Sequence, residues 1–75
     1  MMYDIYMIVI ETHLKRVRLK NRLTIEDMAR RAMISVKTAR NAEKPGYVPS
    51  FRVQRAIAGV FEISPEVFWP IDCES

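Results

Sequence analysis

Val36, Lys37, Arg40 and Asn41 fall within six consecutive residues of this 75-residue chain. An ammonium, a guanidinium and a side-chain amide in so short a run supply hydrogen-bond donors and positive charge but no nucleophile. Residues three and four apart share a helix face, so the run can offer a polar, basic surface to a partner. Such chemistry binds without breaking bonds. The rest of the chain adds nothing catalytic. His13 is the only histidine and Cys73 the only cysteine, and they stand far apart in sequence. Gly46 and Gly59 are the only glycines, so there is no glycine-rich phosphate loop, and no cluster has metal-ligand spacing. The acids sit at helix starts and in the tail, where capping and dipole roles account for them. Neither an enzyme, a metal, a cofactor nor a small-molecule ligand is expected.

The elements that must position these side chains are legible around them. Over Leu23 to Glu43 the chain reads LTIEDMARRAMISVKTARNAE. Thr24 is a good N-cap, Asp27 stands where a capping-box acid belongs, and Leu23 with Met28 can staple the cap. Met28, Ala32 and Ile34 form an apolar stripe, with the small Ala29 allowing close helix approach. Ser35 caps a second helix from Val36 to about Glu43, which must stop because Lys44 precedes Pro45. Ala39 and Ala42 face inward on it, while Val36, Lys37, Arg40 and Asn41 project outward. Two short helices crossing over a tight turn, the second with a basic outer face, is the pattern of a helix that enters the DNA major groove. The spacing alone also suits two solvated helices of an ordinary bundle.

Charge is distributed unevenly. All twelve Lys and Arg lie between residues 13 and 55, where the local balance is +9. The first twelve residues carry −2, through Asp4 and Glu11, and the last twenty carry −4, leaving +3 in total. Positive charge concentrated on the paired helices and their flanks is an electrostatic footprint for phosphate. No internal disulfide can form, nothing resembles a secretory signal, and no apolar run could span a bilayer, so a cytoplasmic protein away from membranes is expected.

From Leu23 to Trp69, about two-thirds of the chain, the sequence resembles the phage repressor and Cro (Xre, lambda-repressor-like) helix-turn-helix family. The family run LTxEELAxxAGVS…T…E…G…PS…IAxALGVSPDELF appears here as LTIEDMARRAMIS, VKTARNAEKPGYVPS and AIAGVFEISPEVFW. The ending SPEVFWP is also similar to small Ner-type phage regulators. The resemblance implies an all-α, compact five-helix domain, with an ion pair between Arg18 and Glu43. It places base reading on Val36, Lys37 and Asn41 with Arg40 beside them; Ser35, Thr38, Tyr47, Arg52 and Arg55 are candidates for phosphate contacts. Three positions depart from the family. Met33 and Glu62 replace turn glycines, and Ile25 stands where many members carry a phosphate-contacting Gln.

The remaining helices follow from periodicity and caps. The first is expected from about Thr12 to Asn21, burying Leu14 and Val17. Ser50 caps a fourth, with Val53, Ala56, Ile57 and Val60 on its apolar face, and Ser64–Pro65 open a short fifth. Ile63, Val67, Phe68, Trp69, Phe51 and Phe61 are expected in the core. The domain so defined spans 12–70, between an apolar arm (1–11) and a short acidic tail (71–75). Residues 3–10, YDIYMIVI, read as a β-strand pairing with its copy in a second molecule, or as an N-terminal extension of the first helix. Either way surplus apolar surface argues for a homodimer. The expectation is a bacterial, nucleoid-associated transcriptional regulator that binds double-stranded DNA at an inverted-repeat operator. It is read as a repressor of phage, prophage or mobile-element origin, because blocking a promoter needs no further contact surface. The alternative is a protein-interaction role, as an antitoxin or an antagonist of another regulator.

Overall fold

The computed structural model describes residues 12–70 and is helical throughout its regular elements. Helix α1 spans His13–Lys20, α2 Ile25–Ala32, α3 Val36–Ala42 and α4 Phe51–Val60. The expected fifth helix is a single 3₁₀ turn, Pro65–Val67. Pro65 starts it and Pro70 follows two residues after Phe68, which leaves no room for a second α turn. Each α-helix begins on a hydroxyl. Thr12, Thr24, Ser35 and Ser50 each accept a backbone N–H from three residues on. Ser64 does not act in this way, and its hydroxyl bonds the Glu66 carboxylate instead.

Three of the helix ends close alike. The Leu23, Ile34 and Ile63 N–H groups reach back to the carbonyls of Arg18, Ala29 and Ala58, at 3.0–3.2 Å. The preceding residue bonds three back in each case, which completes a Schellman motif. That motif needs a left-handed residue. Here it is Arg22 (φ 58°), Met33 (φ 60°) or Glu62 (φ 57°). The family's turn geometry is therefore kept at Met33 and Glu62 without its glycines, and Arg22 is a third such position.

Helix α2 packs against both α3 and α4 and lies at the centre of the core. Met28 and Ile57 are its largest fully buried side chains, joined by Leu14, Ala29, Ala32, Ala39, Ala42 and Trp69. Phe61, Phe68 and Trp69 form an edge-to-face aromatic row that closes one side, with His13 5.4 Å from Phe68. Four expected core residues are placed otherwise. Val17 and Ile63 are only half-buried and lie outside the core cluster, Val67 is exposed, and Phe51 is 63% exposed with the Arg55 guanidinium 5.5 Å above its ring. A stacked cation shields an aromatic face without burial. No described helix is long and apolar enough to cross a membrane. The arm expected to form a strand or to extend α1, and the acidic tail, lie outside the described residues.

Candidate nucleic-acid interface

The arrangement of α2 and α3 is fixed at both ends of the turn between them. At the start of α2 the capping box is complete. Thr24 accepts from the Asp27 N–H at 3.0 Å, and the Asp27 carboxylate accepts from the Thr24 N–H at 3.2 Å. The Thr24 backbone N–H first, then the Thr24 hydroxyl and the Arg30 guanidinium at 2.7 Å, hold the Asp27 carboxyl below its ordinary pKa. Ile25 is half-buried against the core, so the residue that replaces the family's Gln packs inward. The chain then turns through Met33 and enters α3 at Ser35. The Ser35 hydroxyl accepts from the Thr38 N–H at 3.0 Å and donates to the Thr38 hydroxyl at 2.9 Å. That pairing commits the Ser35 proton and leaves the Thr38 proton for another acceptor.

Helix α3 is seated by small side chains. Ala39 and Ala42 are fully or almost fully buried, which brings its backbone close to α2. Lys37 and Arg40 are exposed on the opposite side and Asn41 is half-exposed. Lys37 and Asn41, four apart, share one face. Val36 divides its surface, half-buried and touching the core cluster, so less of it faces outward than the sequence led one to expect.

The far end of α3 is held by charge. Arg18, 8% exposed on α1, donates through Nε and Nη2 to the two carboxylate oxygens of Glu43, and through Nη1 to the Leu23 carbonyl at 2.8 Å. The Thr12 hydroxyl adds a 3.0 Å bond to the Glu43 carbonyl. A forked guanidinium–carboxylate contact sets orientation as well as distance. The sequence contains both partners 25 residues apart. Their meeting ties α1 to the end of α3, and no buried side-chain N or O among the described residues lacks a partner.

Beyond α3, the loop turns at Gly46 (φ 81°), a left-handed conformation that glycine adopts freely. Tyr47 is 43% exposed there, and Arg52 and Arg55 are exposed on the first turns of α4. Basic and hydroxyl side chains thus stand before and after the exposed face of α3. The contact of Arg55 with Phe51 was missed from sequence, although their four-residue spacing on a helix was the available signal. Among the described residues no cluster could hold a metal ion.

A family model described as helix-turn-helix matches residues 14–68. No curated protein and no solved structure matches the chain.

Proposed function

Since the chain belongs to the Xre, or lambda-repressor-like, helix-turn-helix family, a family of sequence-specific DNA-binding regulators, we propose that it represses transcription by occupying an operator as a homodimer. The carrying observation is the outward face of α3. It offers Lys37, Arg40 and part of Asn41 to solvent while Ala39, Ala42 and the Arg18–Glu43 pair hold the helix from behind. In this reading α3 lies in the major groove. Asn41 makes paired hydrogen bonds with adenine, Lys37 donates to guanine acceptors, and the outer methyl of Val36 meets a thymine methyl. Arg40 stands beside them on the reading face, and Thr38, Tyr47, Arg52 and Arg55 reach flanking phosphates, which set register and salt dependence without choosing sequence. Ser35 contributes through Thr38, whose hydroxyl it orients.

Two copies related by a two-fold axis would read an inverted repeat. The phage or mobile-element assignment draws its support from the likeness of SPEVFWP to small phage regulators. The test is selection of bound duplexes from a random library at near-physiological salt. An enriched inverted repeat, with half-site centres about one helical turn apart, is the expected result. A single half-site would remove the homodimer and keep DNA reading. A folded protein that enriches nothing would refute the proposal and leave the antitoxin or antagonist role as the reading to pursue.

A further inference from the structure

One face of the described domain is apolar and open. Val48 is 67% exposed, beside the exposed Phe51 and Tyr47. Two adjoining depressions, of about 220 and 240 Å³, run along this face and share Val48, Trp69 and Pro70 as walls. The first opens beside Thr12, His13 and Leu14, where the chain enters α1. We propose that the chain's own N-terminal segment, residues 3–10, lies in this groove.

Four observations support that occupant. Seven of the eight residues of YDIYMIVI are apolar or aromatic, Asp4 being the exception, which suits walls made of Val48, Phe51, Phe68 and Trp69. The root of the segment is anchored at the groove mouth, by the Thr12 bond to the Glu43 carbonyl and the His13 contact with Phe68. Eight residues extend to roughly 26–29 Å, and the segment starts from Thr12–Leu14, which line the first depression. Residues 3–11 carry Asp4 and Glu11, and Lys44 lines the mouth; Glu66 borders only the second depression. The other segment that starts nearby, residues 71–75, offers one aliphatic side chain, Ile71, among two acids. A tethered segment also meets its site at an effective concentration in the millimolar range, which favours the chain's own copy over another's. The groove wall includes the loop that carries Tyr47, so the docked segment braces that loop. The inference goes beyond DNA reading and does not depend on it.

The full chain tests it. A nitroxide is attached at Met2→Cys in a Cys73→Ser background, and isotope-labelled chain bearing it is diluted into unlabelled, unmodified chain. Selective loss of the NMR signals of Val48, Phe51 and Phe68, restored when the nitroxide is reduced, is expected. Val48→Asp, at an exposed position that folding tolerates, should abolish that loss while leaving the rest of the spectrum in place. Broadening that occurs only between labelled and nitroxide-bearing molecules would overturn the proposal in favour of an exchanged segment. Broadening confined to residues 1–11 of a second molecule would do so in favour of a paired ribbon. Groove signals untouched in every sample would show that the segment does not dock there.

Discussion

Replacing Met33 with glycine should stabilise the domain. Met33 has φ 60° and ψ 45° in the turn between α2 and α3. Its side chain is 89% exposed, so glycine removes almost no packing. An L-residue held in the left-handed region costs roughly 1–2 kcal/mol relative to its ordinary conformations. Glycine avoids that strain but loses about 0.4–1 kcal/mol through the greater freedom of the unfolded chain. The balance is a gain of roughly 0.5–1 kcal/mol. For a domain of this size that corresponds to a rise in melting temperature of about 2–8 °C. Thermal and urea unfolding followed by circular dichroism would measure it. Met33→Ala is the control, since it deletes the side chain and keeps the backbone strain, and it should change stability little. The reasoning is refuted if Met33→Gly is neutral or destabilising, or if Met33→Ala gains as much as glycine does.

The other expectations concern the clamp, the cap and the reading face. Glu43→Leu should destabilise by about 3–5 kcal/mol, because it strands a guanidinium that is nearly buried, while Arg18→Met with Glu43→Leu should recover most of that in urea melts. The Asp27 carboxyl, held low by Thr24 and Arg30, favours the folded state while ionised. Its contribution should be full above the ordinary aspartate value of 3.8 and disappear as pH falls through the depressed folded value. The stability difference between the native chain and Asp27→Asn, followed by urea melts down the acid range, should accordingly shrink below about pH 4. Asn41→Ala should relax preference at one base pair by about 1–3 kcal/mol in binding to single-substitution duplexes. Lys37→Ala should weaken binding to the selected site more than to random DNA, and equal loss on both would make Lys37 a phosphate contact.

What the sequence disclosed was the local grammar of each helix. Thr24 and Asp27, Ser35, and Ser50 are cap signals whose hydrogen bonds span three residues, so their types and spacing suffice. The inward pair Ala39 and Ala42 follows equally from period. The Arg18–Glu43 contact spans 25 residues and was legible only through family resemblance, because nothing local to either residue announces the other. Arg22 gave no signal at all. Arginine has no preference for the left-handed region, and it adopts it because Leu23 must return its N–H to Arg18. Phe51 misled for a related reason. Hydrophobic type favours burial without requiring it, and at the start of α4 a cation four residues on covers the ring instead. The 3₁₀ turn escaped because Ser64 and Pro65 mark a helical start without fixing how many turns follow.

These limits bear on how α3 works. Seven residues are far too few for a helix to persist alone, since isolated helices below about 12–15 residues are marginal in water. Its geometry is therefore lent to it by the Ser35 cap, by the close seat that Ala39 and Ala42 make on α2, and by the clamp at Glu43. None of those side chains needs to touch DNA for binding to depend on them. A base-reading contact tolerates little displacement, so a change at Arg18 or Glu43 should lower affinity for all sequences together with stability. A change at Lys37 or Asn41 should alter the preferred sequence and leave the melting curve in place. On the proposed reading the two groups should separate, since the supporting residues and the outward Lys37 and Asn41 occupy opposite sides of one helix. Plotting affinity loss against stability loss for both sets would display that separation, and a single shared line would mean that α3 is not supported independently of what it reads.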